Sequence, residues 1–236
     1  MNKIKYLSRI NIFHVLDPSV LQSIVDHIPI EPIRKGAIIA SPHKEEQMLY
    51  LVKSGAVRLY TTTAEGKELT LDILAAGHLF GEIGSLVTDS NIYAVTLEDS
   101  VICTMEYEQF KLILRQNPEI AIAFIELMSK RVQEVEQFLE HMAYSSVRKR
   151  LLFLLYKLSE KFGEPPMGEA AAREKSEWVQ LNIELTHQEL ASMTGNIRET
   201  ITETLNVLTA EGILEKSGPR KPLLINTARL KGALEV

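Results

Sequence analysis

Residues 185–208, LTHQELASMTGNIRETITETLNVL, decide how the chain is read. Thr186 and Glu189 have the spacing of a capping box, in which hydroxyl and carboxylate satisfy the free amides of a helix start. Leu190, Ala191 and Met193 give a short apolar face before Gly195, which permits the left-handed backbone of a tight turn. Asn196 reads as a second cap, with Glu199 three residues on. Ile201, Leu205 and Leu208 then line one face of a second helix. Small Ala191 allows the two helices to cross closely. The pattern predicts a helix-turn-helix with Arg198, Glu199, Thr202 and Glu203 on the outer face of its second helix. An ordinary helical hairpin is the plainer alternative, and the capped, glycine-centred pattern argues against it.

The flanks extend the reading. Val179 to Leu185 alternates apolar and polar as a strand does. Beyond the second helix, Ile213–Lys216, Ser217–Arg220 and Leu223–Ile225 read as a hairpin, which makes the unit a winged helix. Upstream lie a leucine-rich helix at 145–162 and a loop, GEPPMGEAAAREKSE, at 163–177. From Pro118 onward Ile125, Met128, Val132, Val135, Leu139 and Met142 fall at alternating spacings of three and four. Such a seam packs against a copy of itself, or against the chain's own front half.

That front half changes pattern. An amphipathic helix around Phe13, Leu16, Leu21, Ile24, Val25 and Ile28 gives way at about residue 30 to short apolar runs broken by glycine turns, and helical patterning returns at about 107–115. Ala37–Ile39, Met48–Val52, Ala56–Tyr60, Leu69–Leu74, Tyr93–Val95 and Val101–Cys103 are the candidate strands, as in a β-barrel or roll. The predicted architecture is α+β: an antiparallel β-roll sensor domain over 1–115, a dimerisation helix over 116–144, and a DNA-binding winged helix-turn-helix over 145–236.

Composition bounds the function. A chain of 236 residues has room for two domains, and its net charge is −5. Residues 145–236 carry 13 Lys and Arg against 12 Asp and Glu, while residues 1–144 carry 13 against 19, so the acidity sits in front. Without a strong basic stripe, non-specific phosphate attraction is modest, and two copies are needed for useful DNA affinity. No apolar run approaches the ~18 residues of a membrane span. The N-terminus MNKIKYLSRINIF is too polar for a secretory signal. A single cysteine, Cys103, can hold neither an internal disulfide nor a structural zinc. A cytoplasmic protein is expected.

Roll, long helix and winged helix in this order resemble the CRP/FNR family of bacterial transcription regulators over nearly the whole chain. The most specific parts are Arg198-Glu199-Thr200, opening the second helix, and Phe80-Gly81-Glu82, following ILAAGHL. The resemblance implies that Arg198 and Glu199 enter the major groove, where Arg suits guanine O6/N7 and a carboxylate suits cytosine N4. It places Thr186 and Gln188 at a phosphate, through helix N-terminal amides. The full set expected to face DNA is Thr186, His187, Gln188, Arg198, Glu199, Thr202 and Glu203, with Lys216, Arg220 and Lys221 on the hairpin. Glu203 stands where the family usually has Arg, so residue identity does not fix the half-site. RNA polymerase is the protein partner the resemblance implies.

The sensor half departs further. The family's cyclic-nucleotide branch holds the cyclic phosphate with an Arg-Ser pair, and the matching positions are Asn91-Ile92 or Ile92-Tyr93. From Glu68 to Phe110 there is no Lys or Arg, while Asp72, Glu82, Asp89, Glu98, Asp99, Glu106 and Glu108 are acidic. A phosphate buried among unpaired carboxylates costs several kcal/mol, on the order of a broken buried ion pair. Cyclic AMP is therefore not the expected effector. An iron–sulfur cluster needs more than Cys103. The wording MLYLVKSGAVRLY…ELTLDILAAGHLF is also similar to the haem-based carbon-monoxide sensors, but their haem-ligand positions fall on Gly81 and Ile83. His78, in a turn, is the one substitute, and no cofactor is expected. The candidate effector pocket comprises Gly81, Glu82, Ile83, Gly84, Ser85, Leu86, Asn91, Ile92, Val132, Val135 and Glu136, with Gln133 and Gln137 nearby. An uncharged or cationic small molecule suits it, or side chains fill it and no effector is used.

Two other classes compete. Metal-dependent enzymes on β-rolls need clustered His and Glu ligands, whereas His14, His27, His43, His78, His141 and His187 are scattered, with no metal set expected among them. A bare ligand-binding module leaves Arg198, Glu199 and the hairpin without a task.

Overall fold

The short apolar runs between residues 30 and 106 become eight strands in the computed structural model, which describes residues 29–42, 48–81, 91–166, 177–216 and 223–235. The amphipathic helix expected around Phe13 to Ile28 lies outside these residues. The chain divides into two compact units, residues 1–135 and 136–236.

In the first unit the strands are β1 (Ile30–Ile33), β2 (Ile38–Ala40), β3 (Met48–Ser54), β4 (Val57–Thr62), β5 (Glu68–Leu74), β6 (Leu79–Gly81), β7 (Ile92–Thr96) and β8 (Ser100–Glu106). They form two four-stranded antiparallel sheets, β1-β8-β3-β6 and β2-β7-β4-β5. The period of two along β3 sends alternate side chains to opposite faces. Tyr50 and Val52 meet Val57, Leu59, Leu74, Phe80, Ala94 and Ile102 in one apolar cluster. Leu49 and Leu51 belong to a second cluster with Leu79, Cys103, Met105, Phe110 and Ile120. Cys103 is therefore a buried packing residue. Gly81 ends β6 at φ +124°, and a Cβ there would collide with the Met48 carbonyl oxygen, so this position admits no side chain.

Helix α1 (Tyr107–Gln116) leads into α2 (Pro118–Tyr144), whose first residue is a proline, a favourable start because that position needs no amide donor. One row of α2 grips the roll: Ile120 is fully buried, and Phe124 and Leu127 pack on the Leu49–Phe110 cluster. The heptad seam is a different row. Ile125, Val132, Val135 and Leu139 are 63%, 56%, 51% and 60% exposed, with Met128 and Met142 intermediate. Within the first unit it is Ile120, Phe124 and Leu127 that make the contact with the roll, while Ile125, Val132 and Val135 stay exposed.

The second unit holds α3 (Val147–Phe162), β9 (Gly163–Glu164), β10 (Trp178–Leu181), α4 (His187–Thr194), α5 (Arg198–Ala210), β11 (Leu214–Lys216), β12 (Leu223–Asn226) and α6 (Thr227–Glu235). Its sheet has the order β11-β12-β10-β9. The hairpin is paired Leu214 to Ile225, Glu215 to Leu224 and Lys216 to Leu223. Two expectations need correction. The strand predicted to continue to Leu185 ends at Leu181; the Asn182 N–H still bonds the Phe162 carbonyl opposite it at 2.8 Å, and Ile183 then enters the core. The predicted loop begins as a strand, because Gly163 and Glu164 pair with Leu181 and Gln180.

Candidate nucleic-acid interface

The interface is built on the crossing of α4 and α5. The first helix starts with a complete capping box: the Thr186 hydroxyl accepts from the Glu189 N–H at 3.1 Å, and the Glu189 carboxylate accepts from the Thr186 N–H at 2.6 Å. The helix ends at Gly195, in the left-handed conformation at φ 65° and ψ 37°, whose N–H caps the Ala191 carbonyl. Arg150 of α3 adds a cation at this end, donating from Nη1 to the Thr194 carbonyl at 3.1 Å. Leu190, Ala191 and Met193 are buried, and so are Ile201, Leu205 and Leu208 of α5.

One cap is not where the sequence pattern put it. Ile197, not Asn196, occupies the N-cap of α5, with no side-chain cap bond. The Asn196 amide donates instead to the Thr194 carbonyl at 2.7 Å. Ile197 is 64% exposed, so an aliphatic group stands on the surface where a polar cap would be commoner.

Burying Ile201, Leu205 and Leu208 turns the opposite face of α5 outward. Glu199 and Glu203 are exposed there, Arg198 is exposed at the first position of the helix, in line with the buried row, and Gln188 is exposed near the start of α4. Two side chains expected to face DNA are bonded to one another: His187 Nδ1 lies 2.8 Å from the Thr202 hydroxyl. Thr186 is occupied too, since its hydroxyl donates to the Glu189 carboxylate at 2.8 Å. Its contribution at a helix start is the cap, and the outward polar groups nearby are Gln188 and the first amides of α4. Lys216 ends β11 on the hairpin, while Arg220 and Lys221 lie outside the described residues. Arg148 of α3 donates to the Glu211 carboxylate at 2.6 Å, tying the helix before the motif to the end of α5.

In the roll, Glu82, Ile83, Gly84, Ser85 and Leu86 lie outside the described residues, as the seam's own pocket members Val132, Val135 and Glu136 do not; those three are exposed. Asn91 donates weakly to the Thr62 carbonyl at 3.5 Å, and Ile92 is 39% exposed. The described cleft lies elsewhere: about 100 Å³, between the β5–β6 turn and α2, lined by Asp72, His78, Leu79, Leu127, Arg131 and Glu134 among others. The Arg131 guanidinium is 3.6 Å from the Asp72 carboxylate and 3.5 Å from the Leu79 carbonyl. His78 Nδ1 lies 3.0 Å from the Ala75 carbonyl within the turn, the geometry of an Nδ1–H donor. The roll's buried cation, Arg58, is paired with Glu68 and lies 4.4 Å above the Tyr60 ring. Burial, and then the Glu68 charge, raise the Tyr60 hydroxyl above its ordinary pKa. Among the described residues, no three His, Cys, Asp or Glu side chains gather as a metal-ligand set, and no helix is long and apolar enough to cross a membrane.

Comparison with known proteins agrees with this layout. Residues 30–117 match the cyclic nucleotide-binding domain family and residues 149–233 the Crp-like helix-turn-helix domain family. The chain is 29% identical to the cyclic AMP receptor protein of Thermus thermophilus, covering 88% of this chain and 89% of that one. It is 25% identical to the global nitrogen regulator of Nostoc, over 76% and 78%. A solved CooA variant from Carboxydothermus hydrogenoformans superposes with a TM-score of 0.71 at 25% identity, covering 90% of each chain. FixK2 from Bradyrhizobium japonicum shares the fold, with a TM-score of 0.72 at 18% identity over 87% and 96%.

The capping box carries a direct test. Thr186→Ala should destabilise the winged unit by ~0.5–2 kcal/mol, the usual cost of losing a helix cap. Urea unfolding measures it, and a variant as stable as the parent would contradict the cap.

Proposed function

The chain belongs to the CRP/FNR family of transcription regulators, and from that premise we propose that it reads a near-palindromic operator as a homodimer. It is a DNA-binding regulator of the Crp type, and its fold gives no reason to class it with enzymes. The observation that carries the finer reading is the two-faced α5. Its apolar row is buried in its own domain, and Arg198, Glu199 and Glu203 are left facing outward. Arg198 is suited to guanine O6/N7 and Glu199 to cytosine N4. Glu203 would repel phosphate, so its place is opposite another base donor. Gln188 and the first amides of α4 suit a phosphate, with Lys216, Arg220 and Lys221 of the hairpin as further contacts.

Dimerisation rests on the exposed row of α2. Four aliphatic side chains, more than half exposed and spaced seven, three and four apart, are costly in water and cheap against a second copy. Pairing two copies sets two reading helices ~34 Å apart, one turn of DNA. RNA polymerase is the protein partner and the cytoplasm the compartment on this reading.

The effector is uncharged or cationic, or none is used, and no haem or other cofactor takes part. The Thermus relative is named for cyclic AMP. In this chain, however, Arg58 and Arg131 of the roll unit are already paired with Glu68 and Asp72, so a cyclic phosphate must break one of these pairs to gain either guanidinium.

Three outcomes are expected. Arg198→Ala should weaken binding to a duplex selected from random DNA by ~1–3 kcal/mol in a fluorescence-anisotropy titration, with the dimer intact. Unchanged affinity would contradict the assigned contact. Sedimentation of Val135→Glu/Leu139→Glu should give monomers, whereas a persistent dimer would remove the seam from the interface. Calorimetric titration with cyclic AMP should give no saturable heat, and tight binding would overturn the effector reading.

A further inference from the structure

The His187–Thr202 bond joins the first residue of α4 to the second turn of α5 on the face turned outward. It is the second link of a chain, because the Thr202 hydroxyl also lies 2.8 Å from the Arg198 carbonyl. A threonine hydroxyl has one hydrogen and two lone pairs, and a carbonyl can only accept. The hydrogen therefore goes to Arg198, and the hydroxyl oxygen accepts from His187. That sets the ring's protonation pattern: Nδ1 carries a hydrogen.

We infer that His187 is a positioning residue for DNA reading: its ring pins Thr202, and through Thr202 the backbone of Arg198, at a fixed angle to the phosphate-side helix. This rests on the reading of α5 as the base-contacting helix. The buried row of Ile201, Leu205 and Leu208 holds α5 in place, but apolar packing is non-directional, and a small roll of the helix costs it little. A hydrogen bond weakens steeply with angle, so the bond adds a directional stop to that roll. The stop acts one turn from Arg198, where a small rotation displaces the end of a long guanidinium most. The same chain removes Thr202 as a hydrogen-bond donor to base edges, because its only hydrogen is already donated within the helix.

A phosphate contact and a positioning residue differ in their salt dependence. Each phosphate contact adds about one unit to the slope of log affinity against log salt, whatever the sequence. Positioning affects the cognate site and leaves the slope alone. The experiment measures anisotropy of a duplex selected from a random pool and of an unrelated duplex, at several salt concentrations, for five full-length proteins: wild type, His187→Ala, Thr202→Val, Thr202→Ser and the His187→Ala/Thr202→Val double variant. His187→Ala and Thr202→Val should each lower the ratio of cognate to unrelated affinity by roughly 3- to 10-fold, the size of one hydrogen bond. The salt slope should stay that of wild type. The double variant should lose no more than either single one, and Thr202→Ser, which keeps the hydroxyl, should restore the ratio. A slope reduced by about one in His187→Ala alone would make it a phosphate contact and overturn the inference. Multiplicative losses in the double variant would overturn it equally. Wild type failing to separate the two duplexes would instead defeat the operator-reading proposal on which the inference rests.

Discussion

Burial of Ile201, Leu205 and Leu208 against α4 and the body of the winged unit is the constraint on which the reading face depends. Once that row faces inward, helical geometry puts Glu199 and Glu203 on the opposite side, while Arg198, in line with the row but at the helix's first position, projects past its buried end. The angle between the helices is set over very few residues. Gly195 supplies a left-handed turn, the Asn196 N–H closes back on the Ala191 carbonyl at 2.9 Å, and Ala191 is small and fully buried. Arg150 on the Thr194 carbonyl and Arg148 on Glu211 brace the C-terminal ends of the two helices from α3.

The long helix repeats this logic at a larger scale. Its Ile120–Phe124–Leu127 row is used by the roll, and the Ile125–Val132–Val135–Leu139 row is left in water. The first row is satisfied within the chain, and the second is the one on which the proposed pairing of two copies rests. Arg131 continues the roll-facing row as a charge and meets Asp72 across the cleft. A polar contact of this length is a weaker hold than the apolar row beside it, so the Ile120–Leu127 part of α2 is the more tightly fastened to the roll.

The motifs legible in the sequence were those carried by local period or local caps. The box at Thr186 and Glu189, the turn at Gly195, the short apolar run around Tyr50 and the hairpin at Leu214 and Ile225 each involve neighbours within a few residues or a simple repeat. The misread details depend on partners far along the chain. Nothing near Asn182 announces that its amide will serve Phe162, or that Gly163 and Glu164 will join β10 as an edge. Asn196 has the chemistry of a cap, but the tight turn spends its amide on Thr194 and passes the position to Ile197. The Arg131–Asp72 and His187–Thr202 pairs belong to the same class. Each brings together residues with no common period, so only the fold discloses them.

The central claim is that paired copies of α5 read bases through Arg198. Methylation interference at guanine N7, on the duplex the protein selects from random DNA, tests it most directly. The account predicts one interfering guanine in each half-site, the two about one helical turn apart, and both losing their effect in Arg198→Ala. Binding that is indifferent to N7 methylation throughout the selected site would contradict it.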